Sequence, residues 1–207
     1  MAEKESVIRI AGVSGSLRAG SHTRSAVAAA LEGAAEAGAE TRMIDLRDYQ
    51  LVFLNSKDEA DYPPDVLRLR ADVRQADGLI LGTPEYHGGL SGALKNALDL
   101  MGFDEFEGKM IALVGVSGGR MGAYDALNTL RNVGRALHAW VIPDQASIPE
   151  AWKVFSDEGK VKDAEQAKRL KDVGRQLARF ARLHKCESAI EFVNNWEKAP
   201  SNPGGEK

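Results

Sequence analysis

Apolar residues in this chain fall into short continuous runs separated by segments whose apolar positions recur every three to four residues. Short runs suit strands buried on both faces, and the recurring pattern suits helices with one apolar side. The pattern predicts strands at 7–13, at 40–46 with an exposed start, and at 77–82, 109–116 and 139–142. The third ends where Thr83-Pro84 leaves the ladder, because proline has no N–H to give. The fifth ends in the same way at Pro143.

Between the strands, residues 25–38 form an alanine-rich helix closed by Gly38, and Pro63-Pro64 opens a helix running to about Gln75. A third helix starts near Ser91, with Leu94, Leu98 and Met101 on one face and Lys95 and Asp99 on another. Helices over 123–137 and 163–184 follow, with an irregular stretch at 147–162 that holds a short hairpin around Val154-Phe155. Residues 47–64 are long and polar, with Tyr49, Phe53 and Tyr62 among them, which suggests a lid or a subunit contact.

Alternating strands and helices make a parallel sheet with right-handed crossovers. The expected fold is α/β: a flavodoxin-like three-layer sandwich, its five-stranded parallel sheet in the order 2-1-3-4-5 with helices on both faces. One domain over 1–197 and a flexible tail over 198–207 complete the organisation. The loops at 14–24, 83–91 and 117–122 then leave the same sheet edge, where open α/β sheets bind ligands.

Composition narrows the chemistry. Hydrophobic residues are 43% and charged residues 28%, and a net charge of -3 steers toward neither nucleic acid nor an anionic membrane. A lone Cys186 makes no disulfide framework and has no base beside it, so it reads as an incidental thiol. His22, His87, His138 and His184 have no metal-ligand spacing, and no metal is expected. No charged-then-apolar leader and no membrane-length apolar run is present, so the expected location is the cytoplasm.

The first loop suits a phosphate. Ser16, Ser21 and Thr23 offer hydroxyls, Gly15 and Gly20 allow close backbone approach, and Arg18 adds a charge before a helix N-terminus. An ordinary strand–helix turn with serine caps is the alternative. No GxxxxGK[ST] exists, and the turn from Gly12 to Leu17 lacks the third glycine of a dinucleotide fingerprint, so Asp45 is taken as solvated rather than ribose-binding. The middle loop suits a flat conjugated ring: Pro84 stiffens it, Tyr86 gives an aromatic surface, and Gly88-Gly89 leave one side bare. The alternative there is a tight turn around a packed tyrosine. Ser117, Gly118 and Gly119 expose further backbone donors, or simply allow close helix–strand packing.

Three motifs in this order carry a resemblance: Gly15-Ser16-Leu17-Arg18 with Ser21, Thr23 and Arg24; Pro84-Glu85-Tyr86-His87-Gly88 with Leu94 to Asp99; and Gly115-x-Ser117-Gly118-Gly119. Together, over residues 7–142, they resemble the NADPH-dependent FMN reductase family, which includes quinone, chromate and azo-dye reductases. The resemblance implies FMN and NADPH as cofactors. Ser16, Arg18, Ser21 and Thr23 would hold the FMN phosphate. Pro84, Glu85, Tyr86, His87 and Gly88 would line the isoalloxazine, and Ser117, Gly118 and Gly119 would close its other edge. His87 stands where many members carry asparagine, and Thr23 where many carry asparagine or serine.

The implied activity is a ping-pong hydride relay from NADPH through FMN to a quinone, free flavin, azo compound or chromate. The flavin carries the chemistry, so no catalytic side chain is expected, and His87 reads as an orienting or packing group. Arg18, Arg24 and Arg120 are candidates for the NADPH 2′-phosphate. A homodimer or homotetramer is implied, with contacts from the 47–64 loop and the Lys95 helix. The rival readings are a flavodoxin-like one-electron carrier that does not oxidise NADPH, and a scaffold without cofactor.

Overall fold

A computed structural model describes residues 7–55 and 61–185; Cys186 and the expected tail lie outside the described residues. Chain order is β1 (Arg9–Ser14), α1 (His22–Glu36), β2 (Glu40–Asp45), a 3-10 turn (Leu46–Asp48), α2 (Pro64–Arg74), β3 (Gly78–Tyr86) and β4 (Gly89–Leu90). Then come α3 (Gly92–Asp99), α4 (Phe103–Phe106), β5 (Met110–Val116), α5 (Tyr124–Ala136), β6 (Trp140–Ile148), α6 (Ala151–Val154) and α7 (Ala164–His184).

The sheet runs β2-β1-β3-β5-β6, every pair parallel, and the short β4 adds antiparallel to β3. Counting only the parallel strands, this is the expected order 2-1-3-4-5, a flavodoxin-like fold. Alternation along the strands feeds two apolar layers. Ile10, Ile80 and Val114 face α1 and α7, while Val13, Leu79, Leu81 and Leu113 face α2, α3 and α5.

Helices α1 and α7 cross without room for side chains at two points. A Cβ on Gly174 would sit 1.8 Å from the Ala30 carbonyl oxygen, and one on Gly33 would sit 2.0 Å from that of Lys171. Glycine lets the two backbones meet there. Around the crossing, Glu36 pairs with Lys171 at 2.8 Å and Arg175 at 2.6 Å.

Two strands outrun their sequence-based ends. β3 continues through Pro84 to Tyr86, because β1 stops at the Ser14–Gly82 pair and leaves β3 with only β5 to satisfy, up to the Pro84–Val116 pair. β6 continues through Pro143 to Ile148, because Pro143 falls where the β5–β6 register shifts between the Ile111–Val141 and Leu113–Gln145 pairs, so no ladder bond needs its N–H. Arg131 holds this irregular stretch, donating to the Ile142 carbonyl at 3.0 Å and to the Pro143 carbonyl at 2.7 Å. The stretch read as irregular contains α6 and an antiparallel Phe155–Val161 bridge, the expected short hairpin.

Candidate functional site

The loops after β1, β3 and β5 meet around a cleft of about 310 Å³ at the carboxyl edge of the sheet. From the first loop and the start of α1 it takes Ser16, Arg18, Gly20, Ser21, His22 and Thr23. Gly15 sets the path of that loop: its N–H donates to the Gly82 carbonyl at 2.8 Å, and a Cβ there would stand 2.7 Å from the Cβ of Leu94. Ser91 closes the same junction, donating its hydroxyl to the Gly15 carbonyl at 2.5 Å while it caps α3 through the Leu94 N–H at 3.1 Å.

Ser16, Ser21 and Thr23 are buried, and Ser21 is also the cap of α1, accepting from the Arg24 N–H at 3.2 Å. The cap and the ligand-binding reading therefore fall on one residue. The Ser25 N–H goes to the Ser21 carbonyl, which leaves the first amides of the helix, His22 and Thr23, without a partner inside it. Arg18 is exposed and makes no ion pair among the described residues. The arrangement offers hydroxyls, helix-end amides and a free guanidinium to an anion.

Asp45 corrects an expectation: it is not solvated but 5% exposed. Its carboxylate accepts from Arg47 Nη2 at 2.6 Å, Arg47 Nε at 3.0 Å and Arg24 Nε at 2.9 Å, and Arg47 Nη1 reaches on to the Ala19 carbonyl at 3.3 Å. Burial alone raises its pKa, but the Arg47 and Arg24 bonds outweigh that and hold the carboxyl below its ordinary range. Arg24 is thus committed to this brace, and Arg120 lies 3.8 Å from Glu150, so of the three arginines considered for a phosphate only Arg18 lines the cleft.

From β3 the cleft takes Pro84, Glu85 and Tyr86. Tyr86 is 45% exposed, so it is not a packed turn residue. The Glu85 carboxylate accepts from the Ala126 N–H at 3.0 Å, which caps α5 and ties the middle loop to the helix beyond the third. Glu85 pairs with Leu90 and Tyr86 with Gly89, so His87 and Gly88 are the two central residues of a hairpin, with φ of 53° and 72°. Positive φ at both positions is the type I′ geometry that suits strand twist. Both residues are exposed at the tip, next to the cleft-lining Tyr86 but not themselves among the lining residues.

The third loop contributes Ser117 and Gly118, while Gly119 turns away and accepts the Glu150 N–H at 3.1 Å. A Cβ on Gly118 would meet nothing within 4 Å, so the wall is open there. Val116, Ala151 and Trp152 complete the lining, and His22 stacks on Phe155 with ring centroids 5.0 Å apart. Sequence reading missed His22, Ala151 and Trp152 as site residues. Trp152 had no signal, because its segment has no period. Among the described residues no cluster of three or more His, Cys, Asp or Glu could hold a metal, and no helix is long and apolar enough to cross a membrane.

The chain resembles known proteins in sequence and in fold. The chain is 35% identical to the NADPH-dependent FMN reductase ArsH of Shigella flexneri over 85% of this chain and 69% of that protein. It is 35% identical to an FMN-dependent NADPH-azoreductase of Staphylococcus saprophyticus over 87% of this chain and 93% of that one. The solved structure of FerB, a flavoenzyme NAD(P)H:(acceptor) oxidoreductase from Paracoccus denitrificans, superposes with a TM-score of 0.67 at 28% identity, over 86% of this chain and 99% of its own. The sequence profile described as NADPH-dependent FMN reductase matches residues 8–153, which span all three loops of the cleft, and the chain therefore belongs to the NADPH-dependent FMN reductase family.

Proposed function

We propose that this chain is an FMN-dependent NAD(P)H oxidoreductase that passes reducing equivalents from NADPH to a small acceptor such as a quinone, free flavin, azo compound or chromate. The observation that carries the reading is one cleft whose lining combines the hydroxyls and Arg18 of the first loop with Pro84, Tyr86 and Gly118. FMN has the matching halves. Ser16, Arg18, Ser21 and Thr23, with the first amides of α1, would hold its phosphate. Pro84, Glu85 and Tyr86 would border its ring system, with His87 and Gly88 at the hairpin tip beside them, and Ser117, Gly118 and Gly119 on the other edge.

When bound, FMN supplies the redox chemistry, accepting hydride from the nicotinamide and returning two electrons to the acceptor. The residues of the chain bind and orient. Gly118 leaves the wall bare, Tyr86 offers a ring edge, and the open mouth admits nicotinamide and acceptor in turn. Overall, NADPH becomes NADP⁺, and its hydride together with one solvent proton gives a quinone two electrons and two protons.

We also infer a cytoplasmic homodimer or homotetramer. An apolar cleft of about 650 Å³ beside the first loop is lined by Leu17, Tyr49, Leu51, Phe53 and Ala93, and Phe53 is 82% exposed. An exposed apolar patch of this kind suits a subunit contact.

The test is anaerobic: load the protein with FMN, add one equivalent of NADPH and follow the flavin absorbance. Rapid bleaching that a quinone reverses is the expected result. Bound FMN that stays yellow with both NADPH and NADH would make the chain a one-electron carrier, and failure to bind FMN would end the reading of the first loop.

A further inference from the structure

The short helix α6 is fastened at both ends yet leaves an indole in water. Its N-terminal neighbour Glu150 has φ 42°, a left-handed conformation that non-glycine residues seldom adopt. Two backbone bonds hold it to the third loop: the Glu150 N–H donates to the Gly119 carbonyl at 3.1 Å and the Ala151 N–H to that of Ser117 at 3.0 Å. Past its other end, Phe155 is buried and stacked on His22, which anchors the segment to α1. Ala151 and Val154 face the core. Between these anchors Trp152 is 62% exposed and lines the cleft.

Charge is gathered beside that indole. Lys153 Nζ stands 4.9 Å from the centre of the Trp152 ring and 2.9 Å from Glu150 Oε1. Arg120 approaches the same carboxylate at 3.8 Å. The single Glu150 carboxylate thus stands between two cations, Lys153 and Arg120. With Lys153 beside it the indole is still 62% exposed, which leaves ring surface for a guest. A tryptophan face is a strong platform for flat rings, and a nearby ammonium favours an anionic substituent on such a ring.

We propose that Trp152 and Lys153 select the electron acceptor: Trp152 stacks on a flat aromatic acceptor, and Lys153, with Arg120, favours acceptors that carry a sulfonate or carboxylate. The proposal rests on the reading that the cleft holds FMN and adds the acceptor's chemical class to it. Both side chains act by binding; neither moves a proton or an electron.

The test compares 1,4-naphthoquinone with its 2-sulfonate on wild type, Trp152→Phe, Trp152→Ala and Lys153→Gln, after FMN loading of each has been read from the flavin absorbance. Lys153→Gln should lower the preference for the sulfonate about fivefold, with the effect shrinking as salt is raised. Trp152→Ala should lower kcat/KM for both quinones about tenfold, chiefly through KM, and Trp152→Phe should keep most of it. Calorimetric titration with naphthalene-2-sulfonate, which is not reducible under these conditions, should show weaker binding in Trp152→Ala and Lys153→Gln, with and without FMN. Unchanged quinone preference in Lys153→Gln, unchanged naphthalenesulfonate affinity in Trp152→Ala, or loss of FMN from Trp152→Ala would each overturn the proposal. Wild-type protein that takes up no FMN would instead overturn the parent reading, and the titration without FMN would still decide the role of Trp152.

Discussion

Ser91 and Gly15 are 76 positions apart in sequence, yet the Ser91 hydroxyl donates to the Gly15 carbonyl across 2.5 Å. The same oxygen accepts the Leu94 N–H and starts α3, and the Ser91 N–H donates to Thr83 Oγ1 at 3.0 Å. One buried residue therefore joins the first loop, β3 and a helix N-terminus. Ser91→Ala should lose about 1–2 kcal/mol of stability in urea unfolding, the worth of a cap plus a buried hydrogen bond. It should also weaken FMN binding, and Ser91→Thr should restore both. Unaltered FMN affinity in the alanine variant would mean that the two loops are held in place independently.

Arg18 is the cleft-lining guanidinium without a carboxylate partner among the described residues, and its charge is free for a ligand. Arg18→Met should weaken FMN by about tenfold or more, since hydrogen bonds to charged groups are worth about 1.5–3 kcal/mol. Riboflavin, which lacks the phosphate, should bind both proteins alike. Flavin fluorescence titrations measure both, and an equal loss for the two flavins would remove Arg18 from the phosphate.

Phe53 has the highest exposure of the apolar residues lining the second cleft, at 82%. A carboxylate in its place cannot be buried against another apolar surface without a large desolvation cost. Phe53→Asp should shift light-scattering mass to that of a single chain while circular dichroism stays native. An unchanged mass would place the subunit contact elsewhere.

Lys109 donates its ammonium to the Val73 and Arg74 carbonyls at 2.8 and 3.0 Å, closing the end of α2. Burial pushes its pKa down to about 8, against the raising influence of Asp77 and Glu105. Below pH 8 the group is protonated both folded and unfolded and adds no pH dependence. Between about 8 and the ordinary lysine value near 10.4 the unfolded chain binds the extra proton, so stability rises with pH. Wild type should therefore gain urea stability relative to Lys109→Met across that window, and parallel curves would show an undepressed lysine.

The order of the sheet was legible because each buried strand is a continuous apolar run and crossover handedness leaves few ways to arrange them. Pro84 and Pro143 misled because a proline ends a strand only where a neighbour needs its N–H. Whether β3 and β6 have such a neighbour depends on where β1 stops and on where the β5–β6 register shifts.

The chain's own pattern determined the flavodoxin-like layers, the serine start of α3 and the hydroxyl-rich first loop, since local spacing encodes which face of an element is buried and where it is capped. The tertiary structure alone decided the rest. Asp45 became a buried brace because packing brings Arg24 to it from another element. His87 sits at an exposed hairpin tip because Glu85 and Tyr86 pair with Leu90 and Gly89. Trp152 entered the cleft because two backbone bonds carry an aperiodic segment across to the third loop. Contacts between elements far apart in sequence leave no period behind, and only the folded chain brings their partners within bonding distance.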